Sequence, residues 1–136
     1  LPFESYLELA SKYMEYNCED DALKVLEIAP KNAIVSLWKA FLDKENQDAL
    51  LQELLNMSSE MIFPYRQETA KILNYFIKKD ANWKLKYYLG LQQWNIGNIE
   101  VAQSLFQQCE DKPTTISFYL AKIKLFNFDD DITIKA

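Results

Sequence analysis

The chain has 136 residues, enough for one domain, and its 49% hydrophobic and 14% aromatic content can bury a core. A net charge of −5, from 15 Lys+Arg against 20 Asp+Glu, speaks against a nucleic-acid surface, which needs clustered cations. The absence of histidine, the two widely spaced cysteines and the mere two glycines leave no metal, redox or phosphate-loop motif, and no apolar run reaches the roughly 18 residues of a membrane span.

In chain order, apolar residues recur at helical spacing almost without interruption. Tyr6, Leu9, Ala10, Tyr13 and Tyr16 begin the pattern. Cys18-Glu19-Asp20-Asp21 then sets three acids where they face the positive end of a helix dipole, ahead of Ala22, Val25, Leu26 and Ala29. Pro30 ends that helix, because it has no amide hydrogen with which to continue. Leu50, Leu51, Leu54 and Leu55 follow, then Tyr65, Thr69, Ile72, Leu73 and Phe76, then Ile99, Ala102, Leu105, Phe106 and Cys109. Pro64 and Pro113 stand just before such runs, where proline is tolerated in a first turn. Only Ile132-Thr133-Ile134 leans toward strand, and it is too short to matter. The expectation is an all-α fold of about eight helices: pairs over 3–29, 33–56 and 83–109, a lone helix over 64–79 and a final helix over 114–126.

The pairs repeat one another. First helices read LELASKY, LWKAFLD, YYLGLQQ and FYLAKIK, each with one small residue among bulky ones: Ala10, Ala40, Gly90 and Ala121. Second helices read DDALKVL, QDALLQEL and IEVAQSLF, with Ala22, Ala49 and Ala102. A small residue recurring in this way predicts a facing helix too near for a longer side chain, so Gly90 is read as a closest-contact position. Gly97 is read as a helix terminator, where a left-handed backbone costs glycine least.

At this point a family resemblance becomes specific. Trp83 to Pro113 resembles a tetratricopeptide repeat: Leu89, Gly90, Gly97, Ala102 and Phe106 fall in register with its pattern. Cys109 replaces the usual alanine, Trp94 lies one residue beyond the usual aromatic and Pro113 comes one residue early. Leu9, Ala10, Tyr13, Ala22, Leu26 and Ala29 match a second copy. The middle departs, since Ala40 and Ala49 stand closer together and the lone helix lacks a first partner. The FPYR turn, NWKLKYYLG and FQQC make the chain similar to the tetratricopeptide region of large bacterial proteins, in which an N-terminal domain of unknown function, thought similar to carbohydrate-active β-sandwiches, precedes helical repeats.

The resemblance implies a right-handed superhelix of antiparallel helix pairs with one domain over 1–136, and a non-catalytic role in protein–protein contact. Its inner face would come from Leu7, Ser11 and Met14; Leu37 and Phe41; Tyr87, Leu91 and Trp94; and Phe118, Lys122 and Leu125. This set is largely apolar, and an exposed apolar groove fits a peptide, a helix or a neighbouring domain of the same chain. The other function class is an accessory helical domain packed on the catalytic β-sandwich of a carbohydrate-processing enzyme. No cofactor or metal is implied; the partner is a protein or peptide, not nucleic acid or membrane.

Arg66 is the only arginine beside fourteen lysines. A planar, multi-donor side chain near a helix start suggests a structural bridge from the FPYR turn to a carboxylate or backbone carbonyls. Asp129-Asp130-Asp131 lacks calcium-loop spacing and reads as a linker end. Cys18 and Cys109 read as small apolar side chains in a reducing compartment rather than a disulfide. Without a signal peptide, and with ends that read as cuts from a longer protein, a cytoplasmic setting is expected.

Overall fold

The computed structural model describes residues 2–58, 64–109, 112 and 116–129, with backbone alone at 116, 117 and 127–129. Pro113, Asp130, Asp131 and Ile132–Ile134 lie outside the described residues. The described residues form eight α-helices and no strand. The chain divides into two compact units, Leu1–Ser58 and Ser59–Ala136.

The first unit holds α1 (Phe3–Glu15), α2 (Glu19–Glu27), α3 (Ala33–Leu42) and α4 (Gln47–Leu55). Short turns at Tyr16–Cys18 and Asp43–Asn46 reverse the chain, so α1 packs on α2 and α3 on α4 as antiparallel pairs. Glu19, Asp20 and Asp21 occupy the first turn of α2, and that helix ends at Glu27, before Pro30. Asn32 caps α3, its side chain accepting from the Val35 amide at 2.9 Å. Eight residues of α3 are buried, Leu37, Trp38 and Ala40 completely. An exposed ion pair joins Lys31 to Glu53 at 3.0 Å and holds the Glu53 carboxyl below its usual range.

The second unit holds α5 (Gln67–Ile77), α6 (Trp83–Asn95), α7 (Ile99–Gln108) and α8 (Ile116–Asp129). Asn82 caps α6 by accepting from the Lys84 amide at 2.9 Å. Helices α6 and α7 form the most extensive pair in the unit, with α5 against α6 and α8 against α7. A Cβ added at Gly90 would drive into the ring of Phe106, so no longer side chain has room there. Ala10, Ala22, Ala40 and Ala102 are likewise fully buried.

The turns of α1–α2 and α6–α7 share one hydrogen-bonding scheme. Cys18 N–H donates to the Tyr13 carbonyl and Asn17 N–H to that of Met14, at 2.8 and 3.1 Å. Asn98 N–H donates to Gln93 and Gly97 N–H to Trp94, at 2.8 and 3.0 Å. These crossed bonds are a Schellman closure, which requires a left-handed residue: Gly97 has φ +91° and Asn17 has φ +59°. Asparagine is the residue that best tolerates this conformation after glycine, so the first turn forms without one.

Three sequence expectations change. Ala49 is exposed, while Gln47 and Leu51 of the same helix are buried. The cause is the early end of α3 after Ala40, which lets the Gln47 amide reach the Ala40 carbonyl at 3.0 Å and rotates Ala49 outward. In α1 the packed residues are Leu7, Ala10 and Ser11, whereas Leu9 and Tyr16 are exposed. Ala121 is half-buried, less enclosed than its counterparts Ala10, Ala40 and Gly90. Helix α6 also reaches the stretch before α5: Asn95 donates to the Pro64 carbonyl at 2.9 Å and Gln92 to that of Tyr65 at 3.3 Å. Arg66 stands at the N-cap of α5, its guanidinium carbon 5.5 Å from the Tyr65 ring centroid.

Candidate functional site

In the first unit, Leu7, Ser11 and Leu37 are buried and so belong to the interior rather than to an open face. The Ser11 hydroxyl donates back to the Glu8 carbonyl at 3.1 Å, a bond within its own helix. Met14 and Phe41 are half-buried, and the Lys44 ammonium lies 4.4 Å from the Phe41 ring centroid.

In the second unit, Tyr87, Leu91, Phe118 and Leu125 are buried, and Trp94 and Lys122 are half-buried. The Phe118 ring is centred 5.4 Å from Tyr87, 5.5 Å from Phe106 and 6.1 Å from Trp83. Rings at these separations are in edge or tilted contact, so the side chains expected to line a groove instead join α8 to α6 and α7. The reason is geometric. Positions facing the inside of a helix pair and positions facing the next helix share an arc, and bulky aromatics there close the gap between them. Trp94 remains at the margin, edge-on to Phe106 at 6.4 Å.

The face that stays open was not singled out from the sequence. On α8, Tyr119, Leu120 and Ile123 are exposed at 42%, 57% and 55%. Helical periodicity places them, with half-buried Phe126, on one arc opposite Phe118 and Leu125. Lys122 falls on one border of that arc and Lys124 on the other. The readable signal was that ISFYLAKIKLF carries apolar residues on two opposite faces, more than one neighbour can cover.

Electrostatics on α6 and α8 run against the chain average. The described side chains of these helices include Lys84, Lys86, Lys122 and Lys124 and no carboxylate, within a chain of net charge −5. Lys86 and Lys122 both act on Cys109, drawing its thiol pKa down while burial pushes it up more strongly, to about 11. Burial also lowers the Lys84 pKa below its usual value. The Cys109 sulfur lies 3.4 Å from the Leu105 carbonyl and 3.6 Å from that of Trp83, a packed thiol rather than a nucleophile. Both cysteines are free.

Among the described residues no group of three or more metal-ligating side chains comes together. Among the described residues no helix is long and apolar enough to cross a membrane. An open depression of about 290 Å³ at the start of α7 is lined by Gly97, Asn98, Ile99, Glu100 and Val101, with a single carboxylate. No family model, curated protein or solved structure matches the chain.

Proposed function

We propose that this chain is a tetratricopeptide-type, non-catalytic interaction module that holds a protein or peptide partner or a neighbouring domain. One observation carries the reading: the α1–α2 and α6–α7 hairpins close with the same bonds at corresponding positions and bury small residues at the same places, Ala10 with Ala22 and Gly90 with Ala102. A recurring helical hairpin that buries its face only by stacking is the unit of a solenoid, and solenoids serve as extended binding surfaces. FPYR, NWKLKYYLG and FQQC are the stretches on which a kinship with helical-repeat regions of large bacterial proteins rests. Two free thiols accord with a reducing, cytoplasmic setting.

Burial narrows the contact set. Of the expected contact set, Met14 and Phe41 in the first unit and Trp94 in the second are the apolar members that keep exposed surface, so recognition is assigned to them, each within its own unit, rather than to Tyr87 or Leu91. The test is affinity capture from a lysate of the native source, with Met14→Ala, Phe41→Ala and Trp94→Ala combined in the control bait after circular dichroism shows it folded. A protein held by the native bait and lost from the control supports the reading. Identical backgrounds from both baits count against it.

A further inference from the structure

We propose that the outward arc of α8 is a docking site for an amphipathic helix whose apolar stripe is bordered by carboxylates. The proposal rests on the reading of the chain as a binding module and names the partner chemistry at one surface of it.

A helix with apolar residues on two opposite faces needs cover on both. Phe118, against the rings of Trp83, Tyr87 and Phe106, and buried Leu125 give α8 one covered side. The other side carries Tyr119, Leu120 and Ile123, each more than two-fifths exposed, with Phe126 beside them. Spacings of three and four residues along a helix make a ridge that seats in the groove of a second helix.

Charge identifies which second helix. Lys122 and Lys124 border the apolar arc on opposite sides, as flanking charges border the seam of a coiled coil and select its partner. No carboxylate stands among the described side chains of α8 or α6 to neutralise them locally. A partner with Glu or Asp beside its apolar stripe is therefore matched on both borders. A second copy of α8 would set lysines against lysines, and like charges across a seam destabilise it. An anionic bilayer would gain only these two cations while meeting the net charge of −5 of the whole chain.

The experiment is fluorescence anisotropy on the whole chain with two labelled synthetic amphipathic helices, each with leucines at the a and d heptad positions. One carries glutamates at e and g and the other lysines. The glutamate peptide is expected to bind about tenfold more tightly or better, with affinity falling as salt rises. Leu120→Glu with Ile123→Glu should abolish binding, and Lys122→Glu with Lys124→Glu should invert the preference between the peptides. Lysate capture through Met14, Phe41 and Trp94 is read separately, so failure of the peptide titration overturns this site while failure of the capture overturns the binding-module reading. Equal affinity for both peptides, no binding to either, or indifference to the α8 substitutions overturns the proposal. So does association with phosphatidylserine vesicles in place of the peptides, or self-association in sedimentation that Leu120→Glu removes. The first would make α8 a lipid contact, the second a contact between copies.

Discussion

Tyr88 is fully buried in α6, and its hydroxyl has no hydrogen-bonding partner among the described residues. Burial raises its pKa well above the usual tyrosine value, so the group stays protonated and its desolvation is not offset. Removing an unpaired buried hydroxyl relieves a penalty of about 1–3 kcal/mol, so Tyr88→Phe should leave stability unchanged or raise it in urea denaturation. A clear loss would mean that the hydroxyl is bonded after all. Cys109 gives a prediction in pH. Its folded pKa of about 11 stands above the ordinary thiol value of 9.0, so the unfolded chain releases the proton first. The contribution of this thiol is complete below pH 9 and fades as pH rises toward 11. Comparing the native chain with Cys109→Ala at several pH values should show a shallower alkaline fall in the variant, whatever its absolute stability; equal slopes would contradict the assignment.

At the scale of the element, the two glycines separate two physical demands. Gly90 is limited by space, since an added methyl meets the buried Phe106 ring. Gly97 is limited by backbone, since nothing stands near its missing side chain but φ is +91°. Gly90→Ala should therefore cost about 1–3 kcal/mol by overpacking, and Gly97→Ala about 1–2 kcal/mol by strain. Thermal unfolding measures both, and Phe106→Leu should restore part of the first loss and none of the second. Both glycines were legible in the sequence because bulky neighbours and a helix end isolate them. Asn17 was not, because asparagine is common in any turn and only the matching bonds around Gly97 reveal its conformation. Gln47 and Gln92 were also missed. Their polarity reads as surface, yet each is buried with its amide donating to a carbonyl, that of Ala40 or Tyr65. Such pairings depend on where the preceding turn or a distant segment passes, which periodicity does not encode.

For the whole molecule, helix number and order were readable because caps, acids and prolines mark the ends chemically. The candidate face was read less well: register places Tyr87, Leu91 and Phe118 on an inner arc but does not say that their rings fill it. Exposure of Tyr119, Leu120 and Ile123 likewise depends on which side of α8 meets its neighbours. The division into two compact units has an energetic consequence, because contacts concentrated within a unit confine damage chiefly to that unit. In Gly97→Ala, amide hydrogen exchange should quicken in α6 and α7 while α1 and α2 keep native protection. Uniform acceleration across all four helices would show a single cooperative unit instead.

The shared turn closure also bears on the order of events as the chain folds. Each closure joins residues only a few positions apart, so either hairpin can nucleate by itself without waiting for distant segments to meet. An unfolded chain visits the left-handed region more readily at glycine than at asparagine, which favours early closure at Gly97 over Asn17. Folding then has two starting points of unequal speed. Gly97→Ala should slow refolding in stopped flow, whereas Asn17→Ala should act chiefly by hastening unfolding.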